Sequence, residues 1–216
     1  DFTNIPLLKD YSTTGLPLII SCGMANLDEI QQTLKAIGAL ENYPTVLMLT
    51  TSEYPTVPMN VNLLKLKTLS KSFPNIPLGY SDHTEGILAS SLAVALGAKV
   101  FEKHFTLDKN LPGPDHWFSE DPVGLKNWID SIRSATTMLG SAEVKPTEKE
   151  ERTKILARRS VVALCDINQG ELFDQNNIGP RRPGNGLSAI MIEEIFGKKS
   201  TKKIPKGDLL KIGDFA

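Results

Sequence analysis

Short apolar blocks punctuate the first part of the chain, and each one runs into a cluster of polar residues. The block LPLII at 16–20 leads into Ser21, Cys22 and Gly23. Its unbroken apolar character predicts a strand buried on both faces. Asn26 then caps a helix, with Glu29 as the reciprocal partner of a capping box and Ile30, Leu34 and Ile37 as the inward stripe. TVLML at 45–49 predicts the next strand, and Pro55 and Pro58 predict an extended loop behind it. Leu63, Leu64, Leu66 and Leu69 predict a further helix. A strand at 77–80 runs into Ser81, Asp82 and His83, and another at 98–101 runs into Glu102 and His104. Ile87, Leu88, Ser91, Leu92, Ala95 and Leu96 lie between them at helical spacing. Pro122 opens a long helix with Leu125, Trp128, Ile129, Ile132 and Met138 on one face, ending near Gly140. Residues 1–9 read as a connecting segment.

Residues 16–140 thus repeat strand, polar loop and helix four times, the signature of parallel α/β structure. A doubly wound sheet and half of a (β/α)8 barrel both fit. Residues 141–156 are charged and carry a proline, which predicts a linker or a short solvated helix. Beyond it the pattern changes. Short strand signals at 160–164 and 170–173, set off by glycine turns, predict a second, mostly β domain at 157–216.

A formal net charge of −1 gives no electrostatic footprint for nucleic acid or an acidic membrane. No apolar run approaches the length of a membrane span, and no signal-peptide pattern opens the chain. Cys22 and Cys165 each sit in an apolar run, far apart in sequence, and are expected as reduced core thiols of a cytoplasmic protein.

The candidate chemistry collects at the strand ends. A βαβ crossover makes its two strands parallel, so His83 and His104 share the carboxyl end of the sheet, where α/β folds place their active sites. Two imidazoles there suit one divalent metal ion. His116 is a possible third ligand. Ser21 and Gly23, beside a helix start, suit an anion such as phosphate. Ser52, Tyr54 and Ser81 supply hydroxyls to the same rim. The turn PGPD at 112–115 presents the carboxylate of Asp115, suited to sugar hydroxyls or proton transfer. Arg182, on the loop RRPGNG at 181–186, could grip a carboxylate or an amide carbonyl. Each feature alone also fits an ordinary cap, turn or surface residue.

Taken together, GYSDHTEG at 79–86, EKHFT at 102–106, PGPD at 112–115 and RPGNG at 182–186 resemble the sialic acid synthases, in that family's order and approximate spacing. The family includes N-acetylneuraminate, legionaminate and pseudaminate synthases, and the resemblance covers essentially the whole chain. It implies the C-terminal half of a TIM (β/α)8 barrel followed by a small antifreeze-like (SAF, β-clip) domain. It implies condensation of phosphoenolpyruvate with an N-acyl hexosamine, giving a nine-carbon 2-keto sugar acid and phosphate. Mn2+ or Mg2+ would sit on residues matching His83 and His104. Ser21 and Ser81 match phosphoenolpyruvate contacts. Ser52, Tyr54 and Asp115 match the sugar site, and Asp1 falls where relatives carry a sugar-binding glutamate. Tyr54, Glu102 and Asp115 are the candidate catalytic groups. Arg182 matches an arginine that the antifreeze-like domain inserts into a partner subunit, which implies a domain-swapped homodimer.

Two departures stand out. Leu49-Thr50 replaces the His-Cys of many relatives, and the half of the barrel that precedes Asp1 in the family, with its phosphate-binding lysines, is not in the sequence. The chain is therefore expected to be a fragment or a truncated relative. A metal-dependent hydrolase on an α/β scaffold and a non-catalytic sugar-binding or dimerisation module are the alternative readings.

Overall fold

Four strands, β1 (Leu18–Ser21), β2 (Thr45–Leu49), β3 (Leu78–Asp82) and β4 (Val100–Lys103), pair in consecutive order, and every pair is parallel. The computed structural model describes residues 2–216, so the expectation for Asp1 lies outside the described residues. Consecutive parallel order with a helix after each strand is barrel geometry, and the sheet is one half of a (β/α)8 barrel. The chain divides into two compact units, the first ending at Ser141 and the second beginning at Ala142.

Helices α1 (Ile5–Ser12), α2 (Leu27–Ala36), α3 (Pro58–Val61), α4 (Lys65–Ser72), α5 (Leu88–Ala95) and α6 (Pro122–Leu139) complete the first unit. Its core joins Leu34, Leu47, Leu66, Leu69, Phe73 and Leu78, all nearly or fully inaccessible. The capping box predicted for α2 is present: Asn26 accepts from the Glu29 amide and Glu29 from the Asn26 amide.

Five expectations for the first unit are corrected. Residues 1–9 contain the start of α1, capped by Asn4, with a proline in the first turn supplying a pre-set φ. The Pro58 stretch closes into the short α3 rather than staying extended. β1 is not buried on both faces: Ile19 is 59% exposed, because β1 pairs only with β2 among the described residues. The face of α5 is also reversed. Ala89, Ser90, Ala93 and Val94 point inward, while Leu88 and Leu92 are exposed. Small side chains let α5 approach α6 closely, with Ser91 donating to Ser131 at 3.3 Å. On α6, Trp128 is buried but Met138 lies out in solvent.

In the second unit, α7 (Glu148–Ala157) falls within the charged stretch, held by a Thr147–Glu150 capping box and burying none of its residues. β5 (Ser160–Ala163) and β6 (Ile178–Arg181) form an antiparallel pair, and α8 (Ile192–Ile195) follows. Val161, Ile167, Phe173, Ile178, Ile195, Ile204 and Leu210 make its core. The strand expected at 170–173 is reduced to one bridge, Leu172 with Lys199. Both cysteines are free, but only Cys22 is in a core. Cys165 is exposed, because it follows the buried β5 stretch into a bend.

Candidate active site

Strand register brings the polar residues together. Ser81 stands opposite Glu102, and Asp82 opposite Lys103. Successive strand residues face opposite sides, so Ser81 and Glu102 share one face of the sheet and Asp82 and Lys103 the other. On the first face, a cavity of about 230 Å3 is lined by Ser21, Gly23, Thr50, Ser52, Tyr54, Ser81, His83 and Glu102, with Phe2 and Met24. Larger concavities elsewhere are lined by residues without this chemistry. Gly23 is there for space: a Cβ would sit 2.3 Å from the Ser52 hydroxyl. Gly79 allows β3 to enter the sheet, because a Cβ would meet the Val100 carbonyl at 2.8 Å.

Three rings converge at the rim. His83 and His104 lie 5.1 Å apart between ring centroids and stand nearly perpendicular. Tyr54 lies 4.3 Å from His83 and 5.6 Å from His104. Phe118 backs His104 at 5.1 Å. Ser81 donates to Glu102 Oε1 at 2.6 Å, a short charge-assisted bond. Asp115 brings Oδ2 to 3.8 Å from His104 Nδ1. The carboxylate expected at the sugar site therefore also faces the second histidine.

His83 is 6% exposed. Its Nδ1 lies 2.8 Å from the Thr51 carbonyl oxygen and 3.4 Å from Thr50 Oγ1. A carbonyl only accepts, so Nδ1 carries the proton and Nε2 keeps the lone pair. Burial holds the imidazole below its ordinary value, and His104 adds to this. The bond to Thr51 and the carboxylates of Asp82 and Glu102 oppose it. A neutral imidazole with a fixed tautomer is what a metal ligand requires.

The donor set fits a divalent ion held by two imidazoles. Among the described residues no group of three His, Cys, Asp or Glu side chains is arranged to hold one. The remaining coordination positions would fall to water or substrate. His116 Nδ1 lies 2.8 Å from Thr106 Oγ1, and among the described residues it belongs to no group of three such side chains.

The sequence reading missed three contributors. The Thr51 carbonyl is a backbone atom and leaves no signal in a residue pattern. Thr50 bonds the Ser81 carbonyl at 2.9 Å and touches the His83 ring. Asp82 and Lys103 form a buried pair on the far face of the strands.

Arg182 belongs to the second unit. It is exposed and donates from Nε to the Ala157 carbonyl at 3.0 Å. Its loop is fastened by Ser160, which donates to the Pro183 carbonyl and accepts from the Gly186 amide, each at 2.8 Å.

Residues 1–144 match the family model described as the NeuB family. The chain belongs to the NeuB family. Residues 158–216 match the SAF domain model. The NeuB-family relatives include the N,N'-diacetyllegionaminic acid synthase of Legionella pneumophila, 41% identical over 97% of this chain and 60% of its own length. The synthase of the same name from Campylobacter jejuni is 42% identical over 98% of this chain and 64% of its own. Human N-acetylneuraminate-9-phosphate synthase is 39% identical over 97% of this chain and 58% of its own. The chain thus spans about three fifths of the length of these relatives. Among solved structures, the Bacillus subtilis spore coat polysaccharide biosynthesis protein SpsE matches with a TM-score of 0.61 at 32% identity, covering 100% of this chain and 65% of that one. The N-acetylneuraminic acid synthetase of Leptospira borgpetersenii, in complex with citrate, matches with a TM-score of 0.64 at 34% identity, covering 70% and 53%. Sheet order and second unit agree with this membership.

Proposed function

We propose that this chain supplies half of the active site of an enzyme that condenses phosphoenolpyruvate with an N-acyl hexosamine, N-acetylmannosamine or a diacetylated legionaminate precursor. The observation that carries the reading is the meeting of His83, His104 and Tyr54 at the rim of the cavity that holds the Ser81–Glu102 pair, in a NeuB-family chain. The reaction forms a bond between the enol carbon of phosphoenolpyruvate and the aldehyde carbon of the open-chain sugar. Water then adds to the adjacent carbon of the former enol, and phosphate leaves as the 2-keto acid forms.

The chain's residues divide this work. Ser21 and Ser81 hold phosphoenolpyruvate. Ser52, Tyr54 and Asp115 orient the sugar. Glu102, exposed and already accepting from Ser81, takes the proton from the adding water. His83 and His104 hold a divalent ion, Mn2+ or Mg2+, which when bound supplies Lewis-acid polarisation of the aldehyde. Arg182 reaches the N-acyl group of sugar bound to a partner subunit in a domain-swapped homodimer. The site's small-molecule substrates and the biosynthetic relatives fit a cytoplasmic enzyme, and no described helix is long and apolar enough to cross a membrane. Neither the hydrolase reading nor the non-catalytic one has a specific observation in its favour.

The test uses a complete synthase that contains this chain. His83→Ala and His104→Ala should each lower metal-dependent condensation by more than about 100-fold. Full activity in either variant would remove the metal assignment.

A further inference from the structure

We propose that the buried Asp82–Lys103 pair is the positioning element that sets His83 and His104 relative to each other. The inference rests on the reading of the two histidines as metal ligands. Asp82 and Lys103 have side-chain exposures of 0% and 2% and lie 3.5 Å apart. They stand opposite each other in the β3–β4 register, and each immediately precedes one histidine.

Asp82 is bonded in several directions. Its Oδ1 accepts from the Thr84 amide and the Thr84 hydroxyl, each at 2.8 Å. Its Oδ2 accepts from Ser90 at 2.6 Å on α5, and lies 3.4 Å from the Trp128 indole nitrogen of α6. Lys103 also donates to the Thr84 carbonyl. The carboxylate and the ammonium therefore grip the same residue, the one that follows His83, while belonging to the strands that carry the two histidines. Loosening either grip lets the His83 turn move against the end of β4.

The pair acts from behind. It lies on the face of the sheet opposite Ser81 and Glu102, so it reaches no substrate in the cavity. Stability alone is a weak reason for a buried ion pair, because desolvating both charges offsets most of their attraction. A sheet edge that must hold two ligands in one geometry supplies a better one.

The experiment measures Mn2+ binding, by the electron paramagnetic resonance of the free ion, together with thermal unfolding, in a complete synthase that contains this chain. Lys103→Met and Asp82→Asn should each weaken Mn2+ binding by about 10- to 100-fold. Ser90→Ala, which loosens the same carboxylate from α5 but leaves the Thr84 grip, should lower the unfolding midpoint and change Mn2+ binding by less than about threefold. If Asp82→Asn does not fold, Lys103→Met decides the matter. Wild-type Mn2+ affinity in the folded pair variants would overturn the proposal, as would losses that track the unfolding midpoint across all folded variants. His83→Ala separates the two readings. If it keeps Mn2+ affinity, the ligand assignment fails. If it loses affinity while Lys103→Met keeps it, only the positioning role fails.

Discussion

His83 Nδ1 lies 2.8 Å from the backbone carbonyl of Thr51, the second residue beyond β2. This contact fixes which nitrogen can bind a metal and joins two strand ends at the site. Burial lowers the proton affinity of this imidazole below its ordinary value of 6.5. Its NMR titration midpoint in the metal-free folded protein should therefore fall below 6.5. The unfolded chain then binds the proton more readily, so the His83 contribution to stability is whole above pH 6.5. It is lost as pH falls through the folded value. A midpoint at or above 6.5 would contradict the buried neutral tautomer.

Glu102 accepts the Ser81 hydroxyl at 2.6 Å, which ties the proposed proton acceptor to a proposed phosphoenolpyruvate contact. Glu102→Gln keeps the size and an acceptor oxygen but cannot take the proton. The expected loss in kcat is about 100-fold or more, with KM for phosphoenolpyruvate changed far less. Steady-state kinetics with each substrate varied in turn checks this. A loss confined to KM would reassign Glu102 to binding.

The four parallel strands, the α2 capping box and the convergence of the two histidines were legible because each leaves a local pattern. Continuous apolar runs mark buried parallel strands, and Asn26 with Glu29 marks a helix start at fixed spacing. The face of α5 was not legible. Both of its sides are apolar, and packing distance against α6 decides that Ala89, Ser90 and Ala93 go inward while Leu88 and Leu92 stay out. α1 was overlooked because Asn4 and Pro6, its cap and first-turn proline, read equally well as loop residues. In the site, side chains could be read from the sequence but the Thr51 carbonyl could not. Asp82 and Lys103 looked like ordinary neighbours of histidines until the register placed them opposite each other.

The two thiols should react very differently. Burial pushes Cys22 up to about 11, while Cys165 is exposed. A disulfide reagent at pH 8 should titrate Cys165 in the folded protein and reach Cys22 only after unfolding. Because the folded value lies above the ordinary 9.0, the Cys22 contribution to stability is intact below pH 9.0 and is lost as pH rises towards 11. Rapid labelling of both thiols at pH 8 would contradict the burial of Cys22.

The Arg182 loop carries a prediction about the acceptor. Arg182→Ala should raise KM for the N-acyl sugar by about 10- to 100-fold, the worth of one charge-assisted hydrogen bond. The KM for phosphoenolpyruvate should stay near that of wild type. If only phosphoenolpyruvate binding changed, the inserted-arginine role would be wrong.

Core packing is testable separately from chemistry. Leu66 is fully buried between helix and sheet, so Leu66→Ala should cost about 2–5 kcal/mol of folding stability. Chemical denaturation of the variant measures it, and a cost near zero would mean that α4 does not pack as described.

The most direct test of the central claim is phosphate release from phosphoenolpyruvate. It would be followed in a complete synthase that contains this chain, with Mn2+ present. N-acetylmannosamine and the diacetylated legionaminate precursor would serve as separate acceptors. The account predicts release that requires one of these acceptors, yields a nine-carbon 2-keto acid in equal amount, and disappears in His83→Ala. Phosphate release at the same rate without any acceptor, or undiminished in His83→Ala, would contradict it.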